Sequence, residues 1–129
     1  MKRSLILVGG VANTLFFIFH LWLGWNLHHA VQIPFPLRGL LEMFNIGGTL
    51  CIGFLAYASL AHRDELARTG AGRAAMVLAL LLYATRGAGE FVFTPRANPL
   101  IVASCVAMAV VYLGAMLVPD RSRPRSIAA

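Results

Sequence analysis

The sequence predicts an all-α membrane protein, a four-transmembrane-helix antiparallel bundle that forms one domain over residues 1–129. Hydrophobic residues make up 59% of the chain and charged residues only 12%, which is more apolar material than a soluble domain of this size can bury. Four apolar stretches each reach the roughly 20 residues that cross the hydrocarbon core of a bilayer. Each must be helical, because lipid offers backbone amides no hydrogen-bond partners.

The predicted spans follow one another with short connections. In chain order they cover about residues 4–26, 39–61, 73–93 and 100–118. The first follows the basic leader MKR and contains the small residues Gly10, Val11 and Ala12, features that also fit a cleaved signal peptide. Its apolar run continues through LFFIFHLWLGW, which is longer than a signal sequence requires. We therefore predict a first transmembrane helix.

The connections predict which spans are neighbours. Before the second span, Pro34 and Pro36 are expected to hold the chain extended, and Trp22 and Trp25 suit the headgroup region. Between the third and fourth spans, TPRAN (94–98) is short enough to require a tight hairpin. The segment HRDELARTGAG, between the second and third, predicts a looser turn.

Basic residues predict the orientation, because they concentrate on the cytoplasmic side of membrane proteins. If the chain alternates across the bilayer, one side receives Lys2, Arg3, Arg63, Arg68, Arg73, Arg121, Arg123 and Arg125, and the other receives Arg38, Arg86 and Arg96. Both termini are therefore predicted in the cytoplasm. The net charge of +6 is mostly a signal of this topology, which attraction to anionic lipid headgroups reinforces. No nucleic-acid partner is predicted.

Polar residues at similar predicted depths in three spans define a candidate site in the outer half of the bundle. His20 lies about six residues, roughly 9 Å, below the outer end of the first predicted span. Polar residues of the second and third spans share helical faces at this level. The candidate ligand-binding residues are His20, Glu42, Asn45, Tyr83, Arg86 and Glu90. The inner half is expected to hold almost only Ala, Leu, Val and Ile.

Two interpretations of this polar cluster are open. Arg86 and Glu90 are four residues apart and, joined by Glu42, can lock three helices in register as a purely structural ion-pair cluster. Ionisable residues inside a membrane are otherwise typical of functional sites. The set His20, Glu42 and Glu90 is a possible iron, manganese or zinc site, but the charge of Arg86 opposes a cation, and no metal is predicted.

The favoured ligand is a quinone-like or anionic small molecule that enters from the outer leaflet. Arg86 would bind an oxygen atom, and His20 or a carboxylate would exchange a proton. This predicts a redox-associated or small-molecule-binding accessory component. A small dimeric transporter or channel and a structural subunit of a larger membrane complex are the alternatives. No cofactor or reaction is predicted, and the glycine pairs in VGG and NIGGT are interpreted as helix-packing contacts.

The stretch LLEMFNIGGTLCIGFLAYASLAHR, residues 40–63, resembles the second span of DoxX-like proteins. These are small four-helix bacterial membrane proteins whose better-known members accompany quinone-linked oxidoreductases. The resemblance rests on a glutamate near the start of the span, a glycine-rich stripe and a basic border. It implies that Glu42, Gly47, Gly48 and Gly53 are the corresponding positions. A redox-associated role is the expectation that follows.

Overall fold

The structure, a computed structural model, describes residues 1–30 and 32–119. Five helices follow in chain order: α1 (Lys2–His28), α2 (Phe35–Ala61), α3 (Arg63–Arg68), α4 (Gly70–Phe93) and α5 (Pro99–Leu117). All except α3 are long and apolar enough to cross a membrane. The all-α class and the four candidate spans are therefore confirmed. Three of the arginines predicted on the cytoplasmic side lie outside the described residues: Arg121, Arg123 and Arg125.

Helices α1 and α2 are longer than the predicted spans. Each has 27 residues, about 40 Å, whereas α5 has 19, about 28 Å. The earlier start of α2 corrects the prediction that both prolines hold an extended connection. Pro34 is the N-cap, but Pro36 lies in the first turn of α2. Proline fits there because its fixed φ is helical and the amide hydrogen it lacks would have no partner in the first turn.

The connection between α2 and α4 is more ordered than the predicted loose turn, because it contains α3. The Thr69 hydroxyl caps α4 by accepting a hydrogen bond from the Gly72 backbone N–H at 2.9 Å. A Cβ at Gly72 would lie 2.3 Å from the Leu66 Cα, so glycine allows α3 and α4 to approach this closely. Arg3 Nε lies 3.0 Å from Asp64 Oδ1 and joins the start of α1 to α3.

Close helix packing uses the first glycine pair and not the second. Helix α1 packs against α2 and α5, and α4 packs against α5. An added Cβ at Gly9 would lie 3.1 Å from the Tyr112 ring, and one at Gly10 would lie 2.9 Å from the Leu60 side chain. At Gly47 and Gly48 it would meet nothing within 4 Å. The prediction of packing glycines is confirmed for VGG and wrong, within this chain, for NIGGT.

The buried residues of the first two helices lie in the N-terminal half of α1 and the C-terminal half of α2. The buried residues of α1 are Ile6, Gly9, Gly10 and Asn13, and those of α2 begin at Thr49. Among the described residues from 14 to 48, none is buried. All five helices contribute to the hydrophobic core. Residues 14–28 of α1 and 35–48 of α2 therefore pack only partly against the rest of the chain, and their exposed apolar side chains suit lipid.

Candidate functional site

A group of four hydrogen-bonded side chains, here called the node, joins α1, α2, α4 and α5. It consists of Asn13, Ser59, Tyr83 and Tyr112. The Asn13 amide nitrogen donates to Tyr112 Oη at 2.5 Å and to the Gly9 carbonyl oxygen at 2.9 Å. The Tyr83 hydroxyl donates to Asn13 Oδ1. Ser59 Oγ lies 3.2 Å from Tyr112 Oη. One asparagine thus connects hydroxyl groups from the other three long helices, directly or through Tyr112.

The node is enclosed, and each of its polar side-chain atoms has a hydrogen-bond partner. Asn13 is fully buried, and Tyr83, the most exposed member, is only 5% exposed. Within the described part of the chain, every fully buried side-chain nitrogen or oxygen has a hydrogen-bond partner. A buried network in which each polar atom is paired specifies the positions of the helices.

The node corrects two predictions. Asn13, Ser59 and Tyr112 lie in parts of their helices that were expected to hold almost only Ala, Leu, Val and Ile. Tyr83 was predicted in the ligand site, but its ring stacks with that of Tyr112 at 6.5 Å and its hydroxyl is bonded to Asn13. Each of the four long helices contributes one polar residue to the node, and these residues were visible in the sequence. Which of them meet depends on how each helix is rotated.

Arg86 and Glu90 form the predicted ion pair, with Arg86 Nη1 2.6 Å from Glu90 Oε1. The second carboxylate oxygen of Glu90 accepts a hydrogen bond from the Asn98 backbone N–H at 3.1 Å. Asn98 Oδ1 in turn accepts from the Leu100 N–H at 3.0 Å and caps α5. Glu90 therefore joins the end of α4 to the start of α5. Both of its carboxylate oxygens are used within this hairpin.

Glu42 does not join that ion pair. Its Oε1 lies 3.3 Å from His28 Nδ1 and 3.8 Å from Arg38 Nε. The prediction that Glu42 joins a charge cluster of three helices is therefore wrong. Helix α2 packs against α1, so Glu42 lies beside the α1–α2 connection, near His28 and Arg38. Nor do His20, Glu42 and Glu90 assemble a metal site. Among residues 1–30 and 32–119, no group of three or more His, Cys, Asp or Glu side chains could hold an ion.

His20 and Asn45 do come together, in a groove between α1 and α2 with a volume of about 310 Å³. Its lining residues are Phe17, His20, Leu21, Gly24, Asn45, Ile46, Thr49 and Leu50. The Asn45 amide nitrogen donates to the His20 carbonyl oxygen at 3.1 Å. A Cβ at Gly24 would lie 2.7 Å from that nitrogen, so the missing side chain allows Asn45 to reach α1.

Two residues that line the groove, His20 and Asn45, each retain an unused hydrogen-bond acceptor. His20 Nδ1 lies 2.8 Å from the Phe16 carbonyl oxygen, which can only accept, so Nδ1 carries the hydrogen. In the neutral ring, Nε2 is then an acceptor. Because the Asn45 nitrogen is the donor to His20, Asn45 Oδ1 is also identified as an acceptor. Within the described residues neither His20 Nε2 nor Asn45 Oδ1 has a partner. His20 lies eight residues, about 12 Å, before the end of α1.

The six predicted site residues thus separate into different environments. His20 and Asn45 share the groove, Arg86 and Glu90 join α4 to α5, Glu42 pairs near the α1–α2 connection, and Tyr83 belongs to the node. Comparison with protein-family models, curated proteins and solved structures finds no match to this chain. The resemblance to DoxX-like proteins remains a prediction.

Proposed function

We propose that this protein binds a lipophilic small molecule in the groove between α1 and α2, as an accessory component of a bacterial inner membrane. The observation that carries the proposal is the pairing of His20 and Asn45 in an otherwise apolar groove. Binding sites for small molecules typically combine apolar walls with a few placed polar groups. A volume of about 310 Å³ accommodates the head of such a molecule, and its apolar tail would extend into lipid.

We further propose that the four long helices form an antiparallel bundle with both termini in the cytoplasm. Contacts between α1 and α2 support it, because Gly10 lies against Leu60, Gly53 against Phe17, and Gly24 against Asn45, so residue numbers rise along one helix as they fall along the other. The bias of basic residues supports the cytoplasmic termini. In this orientation the groove opens to the outer half of the bilayer.

A neutral ligand is favoured over the predicted anionic one. No carboxylate or guanidinium lines the groove. The guanidinium expected to hold an anion, that of Arg86, is paired with Glu90 instead. The quinone-like class therefore keeps its support, and the resemblance of α2 to DoxX-like proteins favours a redox-associated role.

A transporter or channel formed by one chain has less support. At the level of the node the bundle interior is filled by side chains that are at most 5% exposed, including Asn13, Tyr83 and Tyr112. A continuous pathway would have to form between chains, and a homodimer or a larger membrane complex remains compatible with binding in the groove.

The proposal is tested by titrating the protein, reconstituted in lipid nanodiscs, with lipophilic probes that quench tryptophan. The only two tryptophans, Trp22 and Trp25, lie two and five residues from His20. Three probes form the panel: 2-bromo-4-decylphenol, its methyl ether, and decylbenzoquinone. We expect saturable quenching by at least one probe, and loss of saturation in the double variant His20→Leu, Asn45→Leu.

His29→Leu is the matched control. Its ring makes the same kind of bond to a backbone carbonyl, from Nδ1 to the Trp25 oxygen at 2.8 Å, but its side chain is exposed and does not line the groove. This variant should bind like the wild type. Quenching that rises linearly with every probe, as in simple partitioning into lipid, would overturn the proposed function. Native mass spectrometry of gently extracted protein would then identify a bound lipophile directly.

A further inference from the structure

We propose that the groove selects lipophilic molecules whose polar end donates a hydrogen bond, such as a phenol or an alcohol, over molecules of the same shape that only accept. This inference rests on the proposed function and specifies its ligand class. It follows from the assignment of donors and acceptors around His20 and Asn45, which neighbouring backbone carbonyls determine.

The imidazole of His20 presents an acceptor. Its Nδ1 is occupied by the Phe16 carbonyl oxygen at 2.8 Å, and this contact requires the hydrogen to be on Nδ1. Nε2 has no partner among the described residues, and in the neutral tautomer it carries a lone pair. The bond also orients the ring, since it is made within the same helix, four residues back.

The amide of Asn45 also presents an acceptor. Its nitrogen donates one of its two hydrogens to the His20 carbonyl oxygen and lies against α1, 2.7 Å from where a Cβ of residue 24 would be. The second amide hydrogen is one donor beside two unpaired acceptors, Asn45 Oδ1 and His20 Nε2, so acceptors are in excess. The one hydroxyl among the lining residues, Thr49 Oγ1, donates to the Asn45 carbonyl oxygen at 2.6 Å. Thr49 therefore supplies no spare hydrogen.

A ligand head without a donor leaves these acceptors unpaired. Far from water an unpaired acceptor is unfavourable, so a hydroxyl that reaches His20 Nε2 or Asn45 Oδ1 is preferred over an ether oxygen at the same place. Hydrogen bonds within membranes contribute modest free energies. We therefore expect a roughly three- to tenfold difference in dissociation constant.

The test compares 2-bromo-4-decylphenol with its methyl ether on the wild-type protein in nanodiscs, below the pH at which the phenol ionises. The two probes share the quencher, the tail and the ring, and differ in that a methyl group replaces the donor hydrogen. We expect saturable quenching by both, with the phenol bound roughly three- to tenfold more tightly. His20→Leu should reduce this ratio toward one, whereas His29→Leu should leave it unchanged.

Gly24→Ala provides a second variant, which keeps both polar residues, His20 and Asn45, in the sequence. The added methyl group would lie 2.7 Å from the Asn45 amide nitrogen and displace it from α1. The phenol-to-ether ratio should fall in this variant while its circular dichroism stays helical.

The outcomes separate the inference from the function on which it rests. Equal saturable affinities for phenol and ether, or tighter binding of the ether or the quinone, would overturn the donor preference and leave the proposed binding site intact. Saturation by none of the three probes would overturn both. Because the central comparison uses the wild-type protein, it does not depend on whether a variant folds.

Discussion

Asn13 in the node and Asn45 in the groove show how one residue type is used in two ways. Each amide nitrogen donates to a backbone carbonyl of α1, that of Gly9 for Asn13 and that of His20 for Asn45. The difference lies at the oxygen. Asn13 Oδ1 accepts from the Tyr83 hydroxyl, whereas Asn45 Oδ1 has no partner among the described residues. Pairing of every polar atom is typical of a structural network, and the unpaired oxygen of Asn45 belongs to the binding site that we propose.

The two regions also differ in the number of helices that enclose them. Four helices meet at the node, and its side chains are almost fully buried. Only α1 and α2 line the groove. Damage to the node should therefore lower stability, and damage to the groove should lower binding. Three sets of substitutions test the separation of structural and binding roles, in order of decreasing expected effect.

The largest effect is expected from Asn13→Leu. It leaves the Tyr83 hydroxyl without its acceptor and removes a donor from Tyr112, both inside the bundle. We expect a loss of about 2 kcal/mol in the free energy of unfolding. The measurement is unfolding of the reconstituted protein by SDS, followed by circular dichroism. Asn45→Leu is the matched comparison and should change stability by no more than about 0.5 kcal/mol. Equal losses in the two variants would contradict the distinction between node and groove.

An intermediate effect is expected from Glu90→Ala. It removes the partner of Arg86 and the acceptor for the Asn98 N–H, which together join α4 to α5. The melting temperature should fall, while saturable probe binding in the groove is retained. Glu90→Gln keeps an oxygen for Asn98 and should fall less. Glu65→Ala, at an exposed position in α3, is the control. If Glu90→Ala abolished binding at an unchanged melting temperature, the structural role of this pair would be refuted in favour of the predicted site.

The smallest effect is expected from alanine at two glycines. At Gly9 the added Cβ would lie 3.1 Å from the Tyr112 ring, whose hydroxyl belongs to the node, so Gly9→Ala should cost about 1 kcal/mol. At Gly47 the methyl group would meet nothing within 4 Å, and Gly47→Ala should leave stability unchanged or slightly raised. SDS unfolding measures both. A loss at Gly47 as large as at Gly9 would reveal a close neighbour outside the chain, such as a second copy.

Much of the fold was predictable from local features. The four long apolar stretches identify the spans, since a segment of that length and composition has few alternatives to a membrane helix. The tight connection at 94–98 was also predictable from its length. The start of α2 was not, because Pro36 is compatible with both an extended connection and the first turn of a helix.

The candidate site was predictable only in part. The four-residue spacing of Arg86 and Glu90 predicts their ion pair, because both residues are on one helix. The partners of Glu42 and Tyr83 were predicted wrongly, since they depend on neighbouring helices. Position along a helix gives depth in the bilayer, but a small rotation about the helix axis decides which polar side chains meet.

The sequence by itself determined the class of protein, the four spans and the residues that carry polar groups into them, because hydrophobicity and helix length are local properties. Only the tertiary structure decided that Asn13 is fully paired and that His20 and Asn45 retain acceptors. The physical reason is that hydrogen-bond pairing between helices depends on their rotation and order of packing. Both arise from contacts between residues distant in the chain, such as Asn13 with Tyr112.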